Sequence, residues 1–270
     1  MADLRTPPSM GTLQEHEHGE GHDYAAGSPH IRHHSLRERL IGSLHGVIGE
    51  IQETNGRCRV LEVGAGHGTF TDHLVAAGAE VTVTEMSEPS ASFLRRRFRH
   101  NDRVTVLHDA DGERALRGDP VDLVVCISVL HHIPDYVRSV RRLTDRVVPG
   151  GAFVSYQDPL WYPRRGTVSM AADRGAYFLW RLGQGQLQRG LATRVRRLRG
   201  IRDESNPADM VEYHVVRDGV DELALRDLLA ECFADVGVER YWSTQSPLLQ
   251  QLGERRGPRT TFGLIARGRR

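Results

Sequence analysis

The sequence predicts an α/β protein, a doubly wound and mostly parallel sheet with helices on both faces. Three observations carry this. From residue 59 to 156, short β-branched runs alternate with helical patterns, which implies βαβ crossovers. The first such run passes through glycines at alternate positions, Gly64, Gly66 and Gly68, before a helical pattern begins. A strand that turns tightly into a helix brings backbone close to a ligand at the helix N-terminus. Finally, the connection between the last two runs is too short for a crossover helix with two full loops, so that pair should be antiparallel.

Taken in order, residues 1–29 are polar, rich in Gly, His and Pro, and lack periodicity; a mobile tail is expected over 1–34. The H-x-H-x3-H cluster of His16, His18 and His22 has no structured scaffold beside it, and no metal site is expected. Ser35-Leu36-Arg37-Glu38 has the form of a capping box. Leu36, Leu40, Ile41, Leu44, Val47, Ile48 and Ile51 then follow helical spacing up to Asn55-Gly56. Strands follow at 59–63, 80–84, 104–107, 121–127 and 152–156. Between them run helices at 69–77, 89–98, around 113–117, and 135–148, the last stopped by Pro149-Gly150-Gly151. The alternation breaks after Asp158, and two helices are expected at about 166–182 and 185–200. It resumes with a helix at 221–232 and strands at 236–242 and 260–266. The domain should therefore comprise 35–159 and 217–270, interrupted by a helical lid at 160–216.

The net charge is +1, so no global field selects nucleic acid or membrane as partner. All 36 basic positions are Arg, which excludes Lys-based Schiff-base or phosphate chemistry. Cys58, Cys126 and Cys232 are widely spaced and read as reduced thiols in a cytoplasmic protein. The N-terminus lacks an apolar signal region, and no window approaches a membrane span.

In a doubly wound sheet, ligands bind at the carboxyl ends of the strands. Two acids sit at such ends. Glu85, 19 residues after Gly66, is placed where a carboxylate can accept from a ribose diol. Asp109 is placed to accept from an adenine amino group. Polar strand ends flanking a glycine-rich turn suit an adenosine ligand.

Together these motifs resemble the class I S-adenosylmethionine-dependent methyltransferases. The resemblance rests on L-E-V-G-A-G-H-G-T at 61–69, V-T-V-T-E-M at 81–86, L-H-D-A-D at 107–111, V-D-L-V-V-C-I-S-V-L-H-H at 121–132, and P-G-G at 149–151. It covers about residues 57–158 and 219–270. It implies a seven-stranded sheet of order 3-2-1-4-5-7-6 with the seventh strand antiparallel, and S-adenosylmethionine as cofactor. By position, Gly64, Ala65, Gly66 and Gly68 would wrap the cofactor's methionine and ribose portions. Glu62 would fix that loop or the methionine amino group, and Glu85 would bind the ribose hydroxyls. Met86 would lie on the adenine face, with Asp109 and the Ala110 N–H at the adenine edge. Backbone at Cys126 and Ile127 would approach the methionine part. NAD-type Rossmann proteins are the nearest competitor, but they need a third glycine where this chain has Thr69.

Methyl transfer asks for alignment, exclusion of water and, for a hydroxyl acceptor, a base. His131 and His132, after the fourth strand, and His214, before the last helix, are the candidate bases, with His131 and His214 the leading two; Tyr156 and Asp158 close the fifth strand. Tyr24, His30, His33 and His34 could belong to an N-terminal cover over the cofactor. In the lid, Trp161, Tyr162, Met170, Tyr177, Phe178 and Trp180 could line an apolar pocket. Residues 160–202 also hold ten Arg and a single acid, Asp173. Such a run is either a solvated face or a surface for an anionic acceptor. The leading expectation is methylation of a small molecule in natural-product biosynthesis. The alternatives are an RNA methyltransferase using the Arg-rich lid, and a protein that uses the bound cofactor structurally for cyclisation or regulation.

Overall fold

The computed structural model describes residues 28–183 and 218–270. Seven strands form one sheet in the order β3-β2-β1-β4-β5-β7-β6. They are β1 Arg59–Val63, β2 Glu80–Glu85, β3 Val104–His108, β4 Val121–Ile127, β5 Val147–Pro159, β6 Phe233–Tyr241 and β7 Thr261–Arg269. β1 to β5 pair in parallel, and β7 runs antiparallel to both β5 and β6. This is the expected sheet.

Both faces are covered. The helices are α1 Pro29–Arg32, α2 His34–Asn55, α3 Thr69–Ala76, α4 Glu88–Arg97, α5 Glu113–Leu116, α6 Tyr136–Thr144, α7 Thr167–Gly183, α8 Glu222–Ala230 and α9 Pro247–Arg256. Side chains of a strand alternate between faces, and the core divides accordingly. Leu123, Val125 and Ile127 of β4 pack with α2, α3 and α4 through Leu40, Leu44, Phe70 and Leu94. Val124 and Cys126 pack on the other face with Val140 and Leu143 of α6 and Leu225 and Leu229 of α8. Every residue of β4 is buried, as its central place requires.

Several boundaries move. Residues 28–34, expected in the mobile tail, are folded: Pro29 opens α1, and the side chains of His30 and His33 are buried. Ser35 lies inside α2 rather than capping it, and its hydroxyl bonds Glu254 instead. The region expected as a helix to residue 148 gives way at Thr144, and β5 begins at Val147, before the P-G-G. That motif is a bulge: Val121 pairs with Val147, whereas Leu123 pairs with Ala152. A Cβ on Gly151 would meet the Asp122 carbonyl at 2.6 Å, so the bulge admits only glycine there. The connection between β6 and β7 does contain a helix, α9, although the pair is antiparallel as expected. α9 fits because it folds back tightly: Gln250 bonds Thr244 N and Trp242 O, and Trp242 Nε1 donates to Leu249 O. The first lid helix is α7; the second, expected at 185–200, lies outside the described residues.

Candidate functional site

The glycine turn leaves β1 at Val63. Gly64, Gly66 and Gly68 all have left-handed backbone, with φ of 68°, 57° and 81°. A side chain at these positions would be strained, which accounts for the alternate spacing. Two positions are also crowded. A Cβ on Gly64 would lie 2.8 Å from Val129 Cγ2, and one on Gly68 would lie 2.7 Å from Phe98 Cε2. The turn is held by Gly64 N–H donating to Thr84 O at 2.8 Å and Gly68 N–H donating to Ala65 O at 2.9 Å.

Glu62 sits beneath the turn. It is buried and accepts a hydrogen bond from Thr71 Oγ1 at 2.6 Å. Burial pushes its carboxyl up to about 7, against the pull of the Thr71 hydroxyl. It therefore ties the end of β1 to the first turn of α3 and retains a proton near neutrality.

Glu85 closes β2. Its Oε2 accepts from Gly66 N at 2.9 Å, and its Oε1 accepts from Met86 N at 3.0 Å and Ser87 N at 3.3 Å. Burial raises its carboxyl, and the three N–H groups oppose that rise. The carboxylate thus couples the glycine turn to the next strand end. Asp109 closes β3 and is also committed locally. Its oxygens accept from Arg114 N at 2.9 Å and Ala115 N at 2.7 Å, which caps α5. One lone pair on each oxygen is left by these bonds.

These strand ends border a cavity of about 660 Å³. Its wall includes Gly64, Gly66, Glu85, Met86, Asp109 and Ala110, so six of the expected cofactor residues converge on one space. Ala65, Gly68 and Glu62 are not among its lining residues. At the end of β4 the wall is Ser128 and Val129, one residue beyond the expected Cys126 and Ile127. Both of the latter are buried, and burial raises the Cys126 thiol far above its ordinary range. The far side comes from α5 and α6, where Arg142 makes a two-pronged ion pair with Glu113 at 3.0 and 3.1 Å. Of the wall residues, His132 is a candidate base from the sequence, whereas Ser128, Arg138 and Arg142 carry no sequence signal of their own.

His131 does not border this cavity; His132 does. His131 is buried at the tip between β4 and β5. Its Nδ1 lies 2.8 Å from Asp158 Oδ1, and its backbone N–H donates to the same oxygen at 3.1 Å. Ser155 Oγ donates to Asp158 Oδ2 at 2.9 Å. A carboxylate only accepts, so Nδ1 of His131 carries the proton and its basic lone pair sits on Nε2. Tyr156 points the other way. Its hydroxyl meets Ser43 Oγ at 2.9 Å in the α2 core, and a Cβ on Gly263 would strike its ring at 2.0 Å. Tyr156 is therefore a core residue.

The remaining candidates divide. His214, Tyr24 and Arg189 to Arg202 lie outside the described residues. His34 is exposed on α2, whereas His30 and His33 are buried. Arg164 pairs with Asp221 and Glu222, and Arg165 pairs with Asp173 at 3.0 Å. These two are neutralised within the chain and are not available to an anionic acceptor. Arg164 also stacks on Trp161, 4.6 Å from the ring centre, which fixes that aromatic at the lid base. Among the described residues, no group of His, Cys, Asp and Glu could hold a metal ion, and no helix is long and apolar enough to cross a membrane.

The cradle suits the cofactor that the motifs imply. Crowded left-handed glycines leave room for a ligand but not for side chains, and carboxylates stand at two adjacent strand ends of the same cavity. Comparison with known proteins agrees. Residues 61–153 match a family described as a methyltransferase domain. A ubiquinone biosynthesis O-methyltransferase of Aromatoleum aromaticum is 33% identical over 95 residues, which is 34% of this chain and 41% of that enzyme. The chain thus spans less than half the length of such relatives. Among solved structures, the N-methyltransferase NodS of Bradyrhizobium japonicum WM9 in complex with S-adenosyl-L-homocysteine has TM-score 0.52 at 14% identity, covering 96% of this chain and 99% of that one. The DszA carbon methyltransferase has TM-score 0.54 at 14% identity, covering 89% of this chain and 56% of that one. At these identities the structural likeness concerns the fold.

Proposed function

We infer that this chain, a class I S-adenosylmethionine-dependent methyltransferase by its motif set, sheet order and family match, methylates a hydroxyl group of a small molecule. The observation that carries the hydroxyl is the His131–Asp158 pair. Asp158 holds the proton on Nδ1, so Nε2 is the nitrogen able to take a proton from an acceptor. An amine bound in its neutral form would need no such base. The O-methyltransferase relatives lend the same direction support.

The bound cofactor supplies an activated methyl on a sulfonium. The chain's residues do the rest. The glycine turn presents backbone to the methionine and ribose portions. Glu85 would accept from the ribose hydroxyls; backbone N–H groups occupy three of its about four lone-pair sites, so one hydroxyl would take the site left on Oε2 and the other would displace the 3.3 Å Ser87 contact. Asp109 offers its remaining lone pairs, and Ala110 its N–H, to the adenine edge beside Met86. Glu62 would fix the turn or the methionine amino group. Ser128, beyond Cys126 and Ile127, supplies the polar wall at the β4 end. The lid at 160–216, with Trp161 and Tyr162 at its base, and His214 are proposed to close on the acceptor. A place in natural-product biosynthesis is supported by the partial likeness to a highly reducing polyketide synthase of Strobilurus tenacellus, 34% identical over 103 residues. Buried free thiols at Cys58 and Cys126 favour a reducing, cytoplasmic setting.

The test is a panel of phenolic, alcoholic and amine acceptors incubated with isotopically labelled S-adenosylmethionine and read by mass. Label should appear on oxygen and fall about 100-fold in His131→Asn. Transfer to amines alone, or transfer unaffected by that change, would refute the hydroxyl reading. Absence of any transfer despite cofactor binding would refute the transferase reading.

A further inference from the structure

The segment 85–88 carries two residues of the cavity wall, Glu85 and Met86, and runs into α4. On one side it is held by its own Glu85, whose Oε1 accepts from Met86 N and Ser87 N. On the other side it is held by His108. His108 ends β3 and pairs with Glu85 in the β2–β3 register. Its Nε2 lies 3.1 Å from Met86 O, and its Nδ1 lies 3.0 Å from Oε2 of Glu88, the first residue of α4. Glu88 Oε1 in turn accepts from Arg95 Nη1 at 2.7 Å and Ser92 Oγ at 2.9 Å, further along the same helix. The residue after His108, Asp109, donates its N–H to Glu85 O at 2.8 Å and borders the cavity. His108 itself does not border the cavity. It touches Met86, which does.

The acceptors on either side of this ring decide where its protons sit. A carbonyl oxygen only accepts, so Nε2 carries a proton. Hydrogen bonds from Arg95 and Ser92 hold the Glu88 carboxyl below its ordinary value, so it too only accepts, and Nδ1 carries a second proton. His108 is therefore an imidazolium in this arrangement. Among the described residues, the charged groups that face it are Glu88 on α4, with Arg95 beyond it, and Glu85 on β2; Asp109 follows it in the chain and is committed to α5. Burial raises the Glu85 carboxyl, and the His108 charge is among the groups that pull against that rise. The His108 side chain is 29% exposed, so solvent can take its proton as pH rises. A neutral ring has one N–H for two acceptors. It then leaves the Met86 carbonyl without its donor or sets a bare nitrogen against the Glu88 carboxylate.

We propose that His108 is a positioning residue: its imidazolium fixes the Met86 peptide, and with it the Met86 wall of the adenine pocket, so that affinity for the adenosine portion of the cofactor falls when His108 loses its proton. The inference rests on the cofactor reading of the cavity. Its effect belongs to the adenosine portion and not to the amino-acid end. By reciprocity, bound adenosine holds the proton on His108, so the ring gives it up at higher pH with ligand than without.

Two ligands read this: S-adenosylhomocysteine, and 5′-methylthioadenosine, which has the adenosine portion without the amino-acid end. Binding of each to the full chain is measured by calorimetry from about pH 5.5 to about 8.5, for wild type, His108→Phe and His108→Gln. Loss of one hydrogen bond should weaken wild-type binding of both ligands about fivefold from the acid to the alkaline end. His108→Phe keeps a ring without an N–H and should bind both ligands at the weak level throughout. His108→Gln has an amide N–H for Met86 O and should bind more tightly than His108→Phe, again without the wild-type pH response. Glu62 also titrates in this window, at about 7, so the response read is the difference between wild type and His108→Phe. In imidazole NMR of the wild type, the His108 signal is the one absent from His108→Gln, and its titration should move to higher pH with methylthioadenosine. A pH response equal in wild type and His108→Phe, a response confined to S-adenosylhomocysteine, or a His108 titration unmoved by ligand overturns the inference and leaves the cofactor reading intact. A wild-type chain that binds neither ligand overturns the cofactor reading and the inference with it.

Discussion

Replacing Asp158 tests whether the carboxylate sets the orientation and proton position of His131. Donors from the described residues that converge on it include the His131 backbone N–H, His131 Nδ1 and the Ser155 hydroxyl, at 3.1, 2.8 and 2.9 Å. Asp158 is fully buried, so water cannot replace it. In Asp158→Ala the Ser155 hydroxyl can rotate to another acceptor, but the two His131 donors cannot. Two stranded buried donors cost about 1–3 kcal/mol each, so the variant should lose about 2–6 kcal/mol. Asp158→Asn behaves differently. Its carbonyl oxygen can take the place of Oδ1 and serve both His131 donors. Its amide then faces Ser155 Oγ, which rotates to accept. Every group stays paired, and the loss is the charged character of the bonds, about 1–2 kcal/mol. Urea unfolding of the three proteins measures the difference. Imidazole nitrogen shifts in NMR read the His131 tautomer, which should carry its proton on Nδ1. Equal destabilisation by Ala and Asn, or a wild-type ring protonated on Nε2 alone, would refute the reasoning.

Gly68→Ala should destabilise by about 2–5 kcal/mol, because its left-handed strain adds to a collision with Phe98 and Leu94. Gly112→Ala has similar φ and open space around it, so it should cost only about 1–2 kcal/mol; equal losses in urea would show that packing behind the turn is unimportant. Glu62 gives a pH signature. Its folded carboxyl is raised to about 7 from 4.5, so the unfolded chain loses this proton first as pH rises. Stability should therefore fall between about pH 4.5 and 7, by about 3 kcal/mol from this group, and level off above. Glu62→Gln should remove that slope when unfolding is followed across the window, and an unchanged slope would reassign it to other groups.

The cofactor half of the site was legible because its determinants are local. Three left-handed glycines within five residues, an acid at the end of the next strand and a bulge-forming Gly-Gly are each written in adjacent positions. The surroundings of that turn depend on contacts between distant residues. His131 meets Asp158, Ser43 meets Tyr156, and His33 meets Thr244, 211 positions away. No periodicity announces such pairs. Asp109 was legible as a strand-end acid, but its capping of α5 was not, because the helix is one turn long and its cap lies four residues upstream. Folding of residues 28–34 is not legible in the sequence for a related reason. His30 and His33 look polar in sequence, yet burial keeps both rings out of water.

Two non-glycine residues among those described have left-handed backbone: Ser128 at φ 59° and Gln157 at φ 70°. They are neighbours across the sheet, since each follows a partner of the Ile127–Tyr156 pair. Such strain costs about 1–3 kcal/mol per residue and persists only where the surroundings fix it. For Gln157 the fixing bonds are visible: its N–H donates to the Tyr241 hydroxyl, and its side chain donates to Ser243 Oγ at 2.7 Å. For Ser128 the bond seen among the described residues is backbone, N–H to Tyr156 O at 2.7 Å, which any residue could make. Glycine at 128 should therefore relieve strain and raise stability by about 1 kcal/mol. Ser128 nonetheless borders the cavity, directly before the segment that carries His131 to Asp158. If strain is retained there because the hydroxyl contacts a ligand, Ser128→Gly should gain stability and lose cofactor or acceptor affinity together. Loss of stability would place the hydroxyl in the fold, and gained stability with unchanged binding would leave the strain without a function.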